Sequence, residues 1–180
     1  MKAVLISIQP KWCEKIANGQ KTIEVRKTAP KIATPFKCYI YETQGETETP
    51  WMDEEGHMIF RGRGQVIGEF VCPVIEPVSG RNRQVISALS CVPLPELYNY
   101  AGAKGLEGLK GWHISNLVIY DEPKELTEFC VWKKCNSCKT SGYECAACIY
   151  DDDCKVPAMI TRPPQSWRYI MEAKNEQHSF

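Results

Sequence analysis

The spacing of apolar residues along the chain changes near Gly19 from the period of a helix to the period of a strand. This change constrains the fold more than any other feature. Residues 3–8 are apolar and rich in β-forming side chains, which predicts a buried strand. Pro10 suits the first turn of a helix, and Gly19 suits the position just after its end. From Thr22 onward apolar and polar residues alternate, so the first thirty residues predict strand, helix and strand.

The rest of the chain predicts many short strands and few helices. Further strands are predicted at 36–43, 65–72, 112–120, 127–132 and 165–171. The polar segment 44–64 predicts a long hairpin or loop, and apolar residues at helical spacing predict a helix over 94–101. The pattern favours an α+β fold, a small mixed β-barrel with a few flanking helices, as one domain over residues 1–180.

The charge of the chain is balanced, with 22 basic and 22 acidic residues. This argues against a protein that coats nucleic acid by bulk charge, but it leaves room for a local basic cleft. No apolar run approaches the roughly 18 residues that span a membrane, so no membrane partner is expected. The N-terminus is too short and strand-like for a signal peptide. We therefore expect a cytoplasmic protein with reduced cysteines.

Four polar functional groups lie close together at the junction between the predicted helix and the second strand. They belong to Lys21, Thr22, Glu24 and Arg26. The arginine can grip a phosphate or carboxylate with two hydrogen bonds, and the lysine can hold a phosphate or act as a base. The hydroxyl and the carboxylate can contact a base edge or an amine. The group predicts a binding site for a nucleotide or a modified base.

This junction also has a structural interpretation. Thr22, Glu24 and Arg26 share one face of the predicted strand, and that face could simply be solvated. A surface pair of this kind contributes at most about 1 kcal/mol. Trp12 lies just before the junction and could flank a cleft by stacking on a base, although tryptophans of small barrels are often core residues.

The cysteines are concentrated late in the chain, with six of the ten between Cys130 and Cys154. Two C-x-x-C pairs and a following cysteine form the candidate metal ligands: Cys135, Cys138, Cys145, Cys148 and Cys154. Paired thiolates at this spacing can take adjacent corners of a tetrahedral zinc ion. Because the loop between the pairs is short, a second four-ligand set is also possible: Cys135, Cys138, Cys148 and Cys154.

We predict that a structural Zn²⁺ orders a cysteine-rich insertion at 130–160, since this segment has few apolar residues of its own. Disulfides formed in air are the alternative.

The run Gly19-x-Lys21-Thr22-x-Glu24-x-Arg26 resembles the signature of the ASCH family, whose fold is similar to the PUA domain. Four more segments are similar to those of prophage-type ASCH proteins: 66–70, 112–117, 123–129 and 161–167. The resemblance covers most of the chain apart from the cysteine-rich stretch. It implies a pseudo-barrel with a cleft beside the first helix. RNA binding is the family's usual proposed role, and the resemblance favours Lys21 and Glu24 as cleft residues but says less about Arg26. Together with the chemistry of the junction, it leads us to expect that RNA or a nucleotide-like small molecule binds at Trp12 and the four polar residues.

One branch of that family, the acetylcytidine amidohydrolases, uses a Lys-Thr-x-Thr run, with the lysine, the second threonine and a later glutamate as proposed catalytic groups. This chain keeps Lys21 but has Glu24 in place of the second threonine. A carboxylate cannot replace a hydroxyl nucleophile, so binding is the main expectation. The first alternative is an amidohydrolase acting on an acylated nucleoside such as acetylcytidine. Lys21 would be its base, and Glu24 or Glu69 would orient water.

The second alternative is a protein-interaction module presented by the zinc insertion.

Overall fold

A computed structural model describes residues 2–52, 56–134 and 155–171. The chain begins with strand β1 (Lys2–Ile8), helix α1 (Pro10–Ala17) and strand β2 (Ile23–Arg26), so the predicted start is confirmed. Pro10 lies in the first turn of α1. Gly19, with φ at +76°, takes the left-handed conformation that glycine adopts at low cost after a helix.

The remaining elements include several that the sequence did not predict. In chain order they are β3 (Phe36–Glu42), β4 (Glu46–Met52), β5 (Met58–Arg61), β6 (Val66–Cys72), β7 (Ile75–Pro77), α2 (Arg83–Ser90), α3 (Leu94–Ala101), β8 (Lys110–His113), β9 (Ser115–Lys124), β10 (Cys130–Lys134), β11 (Lys155–Met159) and β12 (Trp167–Met171). The predicted hairpin at 44–64 is the β4–β5 pair. Helix α2 was missed, and the single strand predicted at 112–120 is divided at Ile114.

The strands form one large sheet and two small ones. The large sheet has the order β11-β10-β12-β1-β3-β6-β9, and its neighbours are antiparallel except for the parallel β1–β3 pair. The smaller sheets are β2-β8-β7 and β4-β5. The mixed fold with few helices is as predicted. The barrel is not: across the described strands the large sheet stays open, because β2 and β8 pair with each other in a separate sheet.

The small β2–β8–β7 sheet is shared by two hydrophobic cores. Trp112 of β8 is fully buried in the main core, between the large sheet and α1. Ile23 and Val25 of β2 belong to another core, which they form with residues of α2, α3 and the short 3-10 turn Leu106–Gly108. A further core covers the opposite face of the large sheet. Strand β2 is thus supported by the helical segment on one side, which leaves its polar side chains to face the other.

Three of the four cysteines outside the insertion are core residues, and one is not. Cys13, Cys38 and Cys72 are buried in the main core, as expected for small apolar side chains. Cys91 is only half-buried. It ends α2 in a left-handed conformation, and its thiol donates to the carbonyl of Gln20, so it marks a helix end rather than a core position.

The predicted zinc ligands lie at 135–154, outside the described residues. Strands β10 and β11, which flank that segment, pair with each other in an antiparallel register. In the part of the chain that the structure describes, no cluster of His, Cys, Asp or Glu side chains is arranged to hold a metal ion. The same part contains no helix that is both long and apolar enough to cross a membrane.

Candidate functional site

A cleft of about 490 Å³ lies where the end of β1, strand β2 and helices α1 and α3 meet. Its polar and charged lining residues are Ser7, Gln9, Lys21, Glu24, Arg26, Thr43, Glu96 and Gln165. Its apolar and aromatic lining residues are Ile8, Trp12, Val25, Val92, Leu97, Tyr100 and Pro164. Four of the five residues predicted to bind a ligand therefore line one cleft, and Thr22 does not.

Lys21 is buried at the floor of this cleft, with only 1% of its side chain exposed. Its ammonium donates to the carbonyls of Ile23 at 3.0 Å and Ser90 at 2.8 Å, and it lies 3.1 Å from Oε2 of Glu24. Ser90 is the last residue of α2, so the ammonium sits at the negative end of that helix. The ammonium therefore donates two hydrogen bonds to backbone carbonyls and forms an ion pair with Glu24.

Glu24 lies between two cations. Its Oε2 contacts Lys21, and its Oε1 lies 3.0 Å from Nε of Arg26 in an ion pair that is not aligned as a hydrogen bond. The Arg26 guanidinium also donates to the carbonyl of Ser7 and, at 3.5 Å, to the hydroxyl of Ser166. Arg26 therefore connects the end of β1, the start of β12 and the carboxylate at the cleft floor.

The interpretation of Thr22, Glu24 and Arg26 as a solvated strand face is wrong for two of the three. The side chains of Glu24 and Arg26 are only 8% and 11% exposed. Thr22 is exposed, and its backbone pairs with Leu89 and Ile114. The reason is tertiary: the helical segment packs on Ile23 and Val25, while β1 and the segment before β12 approach the other side of β2.

Aromatic side chains from two different helices line the cleft. Trp12 of α1 is half-buried, and the ammonium of Lys21 lies 5.2 Å from its ring centroid. Tyr100 of α3 is 39% exposed, and the ammonium of Lys27 lies 4.8 Å from its ring centroid. Trp12 was a predicted site residue, whereas Tyr100 was not.

Sequence reasoning missed Glu96 and Tyr100 because they lie about 75 residues from the motif. The helical spacing over 94–101 correctly predicted α3, but it could not show which partner the helix faces. One signal was available: Tyr100 comes three residues after the buried Leu97, so both lie toward the same side of the helix.

Ser7 fixes the segment 163–166 against the end of β1. Its hydroxyl donates to the carbonyl of Pro164 at 2.6 Å, and its backbone N–H donates to the carbonyl of Ser166 at 2.9 Å. These contacts explain how the late motif at 161–167 reaches the early motif at 19–26: both are attached to β1, and Pro164 and Gln165 line the cleft.

A second buried carboxyl lies next to the cleft. Glu42 is 4% exposed and immediately precedes the lining residue Thr43. Burial raises the pKa of Glu42 above its ordinary value, although the backbone N–H of Arg63 at 3.3 Å and its guanidinium at 3.6 Å act in the opposite direction. Glu42 also contributes, after burial itself, to raising the pKa of the Cys13 thiol, which makes that thiol unreactive.

Glu69, the other carboxylate considered for water activation, lies outside the cleft lining. It accepts from Lys37 at 3.0 Å and from the hydroxyl of Tyr120 at 2.6 Å. Partial burial acts to raise the pKa of Glu69, but these two hydrogen bonds and the charges of Lys37 and Lys124 together outweigh it, and the pKa is lowered. The structure therefore brings Glu24 but not Glu69 together with Lys21.

Solved structures with a similar fold were found by comparison of the whole chain. An ASCH protein from Zymomonas mobilis superimposes with a TM-score of 0.58 at 15% identity, over 94% of this chain and 88% of that one. A tyrosine-to-phenylalanine variant of that protein gives a TM-score of 0.55 at 15% identity, with coverage of 96% and 92%. A serine-to-alanine variant gives 0.54 at 14%, with coverage of 94% and 89%.

The chain has the fold of an ASCH protein. The PUA-like fold class predicted from the motifs is thus confirmed, apart from the closure of the barrel. No protein-family model matches the sequence, and no curated protein matches it. At 15% identity, the similarity to the Zymomonas mobilis protein establishes the fold alone.

Proposed function

We propose that this protein is an ASCH-family member that binds RNA or a nucleotide through the cleft beside α1. The observation that carries the proposal is the buried ion cluster of Lys21, Glu24 and Arg26 at the cleft floor. Burying three charges is costly unless they are well paired, so a cluster of this kind at an open cleft points to a binding role. The resemblance of 19–26 to the ASCH signature supports the same residues.

The chemistry of the lining supports a nucleotide more than an apolar ligand. The cluster has two cations and one carboxylate, and the amides of Gln9 and Gln165 add donors and acceptors. Trp12 and Tyr100 add flat surfaces on which a base can stack. Apolar pockets for lipids or hydrocarbons lack such a density of polar groups.

Hydrolysis of an acylated nucleoside is the second candidate, and the contact between Lys21 and Glu24 is the observation that favours it. The same geometry also weighs against it. The Lys21 ammonium is directed at two backbone carbonyls and at Glu24, whereas a general base must lie within hydrogen-bond reach of the substrate proton that it removes. Incubation with acetylcytidine tests this candidate directly, and release of acetate at a rate dependent on Glu24 would establish it.

The binding proposal is tested by blocking the cleft without changing its charges. Val92 is a half-buried lining residue, and Val92→Trp places a large side chain there. We expect the affinity for a mixed-sequence single-stranded RNA to fall at least about tenfold, which is about 1.4 kcal/mol, in fluorescence anisotropy titrations.

The matched control is Val85→Trp. Val85 is 56% exposed on α2 and does not line the cleft. Its substitution should leave the affinity within about twofold of wild type. Thermal unfolding of both variants separates a blocked cleft from a damaged fold. Equal RNA affinities for Val92→Trp and wild type, with both proteins folded, would remove the cleft from the binding site.

A further inference from the structure

The two buried cations of the cleft are already committed to protein acceptors. The Lys21 ammonium donates to two backbone carbonyls and lies 3.1 Å from the Glu24 carboxylate. The Arg26 guanidinium contacts Glu24, the Ser7 carbonyl and the Ser166 hydroxyl. A phosphate group entering the cleft would compete with the Glu24 carboxylate, which already lies within 3.1 Å of both cations.

The formal charges of the lining residues cancel. Lys21 and Arg26 are the cations that line the cleft, and Glu24 and Glu96 are the carboxylates that line it. A cleft without net positive charge does not concentrate phosphate, whose recognition relies on unbalanced cations. It can accept a neutral polar group and offer that group both hydrogen-bond donors and acceptors.

The walls of the cleft suit a flat ring. Trp12 and Tyr100 line it together with apolar side chains of Val92, Leu97 and Pro164. Aromatic surfaces hold nucleobases by stacking, and a volume of about 490 Å³ is within the range of small-molecule sites. The Glu24 carboxylate at the floor can accept from a ring or exocyclic N–H of a base.

A cation suited to phosphate lies just outside the cleft. Lys27 follows Arg26 directly and is exposed, and its ammonium lies against the ring of Tyr100 without lining the cleft. A phosphate that remains at the mouth would meet this ammonium while the attached base contacts Tyr100.

We propose that the cleft takes an unpaired nucleobase inside and keeps the phosphate outside, against Lys27. This inference rests on the proposed function, and it adds the direction in which the ligand enters. Tyr100 stacks on the base, and Lys27 contacts the backbone. A duplex is a poor ligand, since its bases must first leave the stack.

Three nucleic-acid probes of equal length test the direction of entry by fluorescence anisotropy: a mixed-sequence single-stranded RNA, the same strand in a duplex, and an abasic ribose-phosphate strand. We expect the single strand to bind at least about tenfold more tightly than either of the others. An abasic strand or duplex that binds within about twofold of the single strand overturns the inference and leaves RNA binding at the cleft intact. If no probe binds, the proposed function itself fails.

Tyr100→Ala and Tyr98→Ala form the matched pair of variants. Both tyrosines are exposed on α3, at 39% and 46%, but only Tyr100 lines the cleft. Loss of a stacked base should weaken single-strand binding by about fivefold to a hundredfold for Tyr100→Ala, and by less than about twofold for Tyr98→Ala. Equal effects of the two substitutions would overturn the role of Tyr100.

Affinity for RNA falls as the salt concentration rises. Lys27→Ala should weaken this salt dependence, reducing the size of the negative slope of log affinity against log salt concentration by about one unit. Lys104→Ala, at an exposed lysine away from the cleft, should leave the slope unchanged. A slope that is the same for Lys27→Ala and wild type would place the phosphate elsewhere.

Discussion

Two lysine–glutamate pairs in this protein have nearly the same N···O distance and different surroundings. The Lys21–Glu24 contact is 3.1 Å and the Lys37–Glu69 contact is 3.0 Å. The side chains of the first pair are 1% and 8% exposed, whereas those of the second are 37% and 23% exposed. The comparison teaches that the distance between the two charged atoms does not by itself indicate how much an ion pair contributes to stability. Burial decides how much the loss of one partner costs, because water replaces a lost partner only at an exposed site.

The largest expected effect on stability comes from removing the lysine of the buried pair. Lys21→Met leaves Glu24 with one cation and leaves the carbonyls of Ile23 and Ser90 without their donor. We expect the free energy of unfolding to fall by about 3–5 kcal/mol, measured by urea unfolding.

Lys37→Met provides the matched measurement at the exposed pair, and its loss should be at most about 1 kcal/mol. Similar losses for the two variants would show that burial does not distinguish the pairs.

A smaller loss of stability is expected when Arg26, the second cation of the buried cluster, is replaced by a lysine, which keeps the positive charge but lacks the planar guanidinium group. Arg26→Lys retains a positive charge near Glu24, but one ammonium cannot also reach the Ser7 carbonyl and the Ser166 hydroxyl. The free energy of unfolding should fall by about 2 kcal/mol.

The control for that change is Arg83→Lys, since Arg83 makes an exposed hydrogen bond to the hydroxyl of Tyr98. Its effect should stay within about 0.5 kcal/mol. If Arg26→Lys is equally mild, charge alone explains the role of Arg26.

The smallest expected effect is the pH dependence of the exposed pair. Partial burial acts to raise the pKa of Glu69, but hydrogen bonds from Tyr120 and Lys37 and the charges of Lys37 and Lys124 together lower it below its ordinary value of 4.5 in the folded protein. The unfolded state therefore takes up the proton first as the pH falls. The stability that ionised Glu69 contributes at neutral pH is lost on acidification through the folded-state pKa. Because the pair is partly solvated, this contribution should be only about a few tenths of a kcal/mol.

Denaturant unfolding of wild type and Glu69→Gln between neutral pH and about pH 3 measures this contribution. Their difference should shrink on acidification, while the exposed Glu14→Gln reports the general effect of losing a carboxylate. A difference between wild type and Glu69→Gln that stays constant with pH would contradict the assignment.

Local patterns were enough to predict β1, α1 and β2, because the period change and the positions of Pro10 and Gly19 act within a few residues. They were also enough to propose Lys21, Glu24 and Arg26 as a group. They did not lead to α2, although Asn82 is at its N-cap position; the Asn82 side-chain oxygen accepts from Ser79 and does not cap the helix. Local patterns also did not show that the strand predicted at 112–120 is two strands. The boundary between β8 and β9 arises because the two strands pair in different sheets.

By itself, the sequence determined that the chain is a mixed protein of short strands with a conspicuous polar motif after its first helix. Only the tertiary structure decided that Glu24 and Arg26 are buried while Thr22 is not, and that Tyr100 joins Trp12 at the cleft. The physical reason is that alternation along a strand separates its two faces, but burial depends on what packs against each face. Here that packing comes from α2, α3 and the segment before β12, all of them distant in sequence from β2.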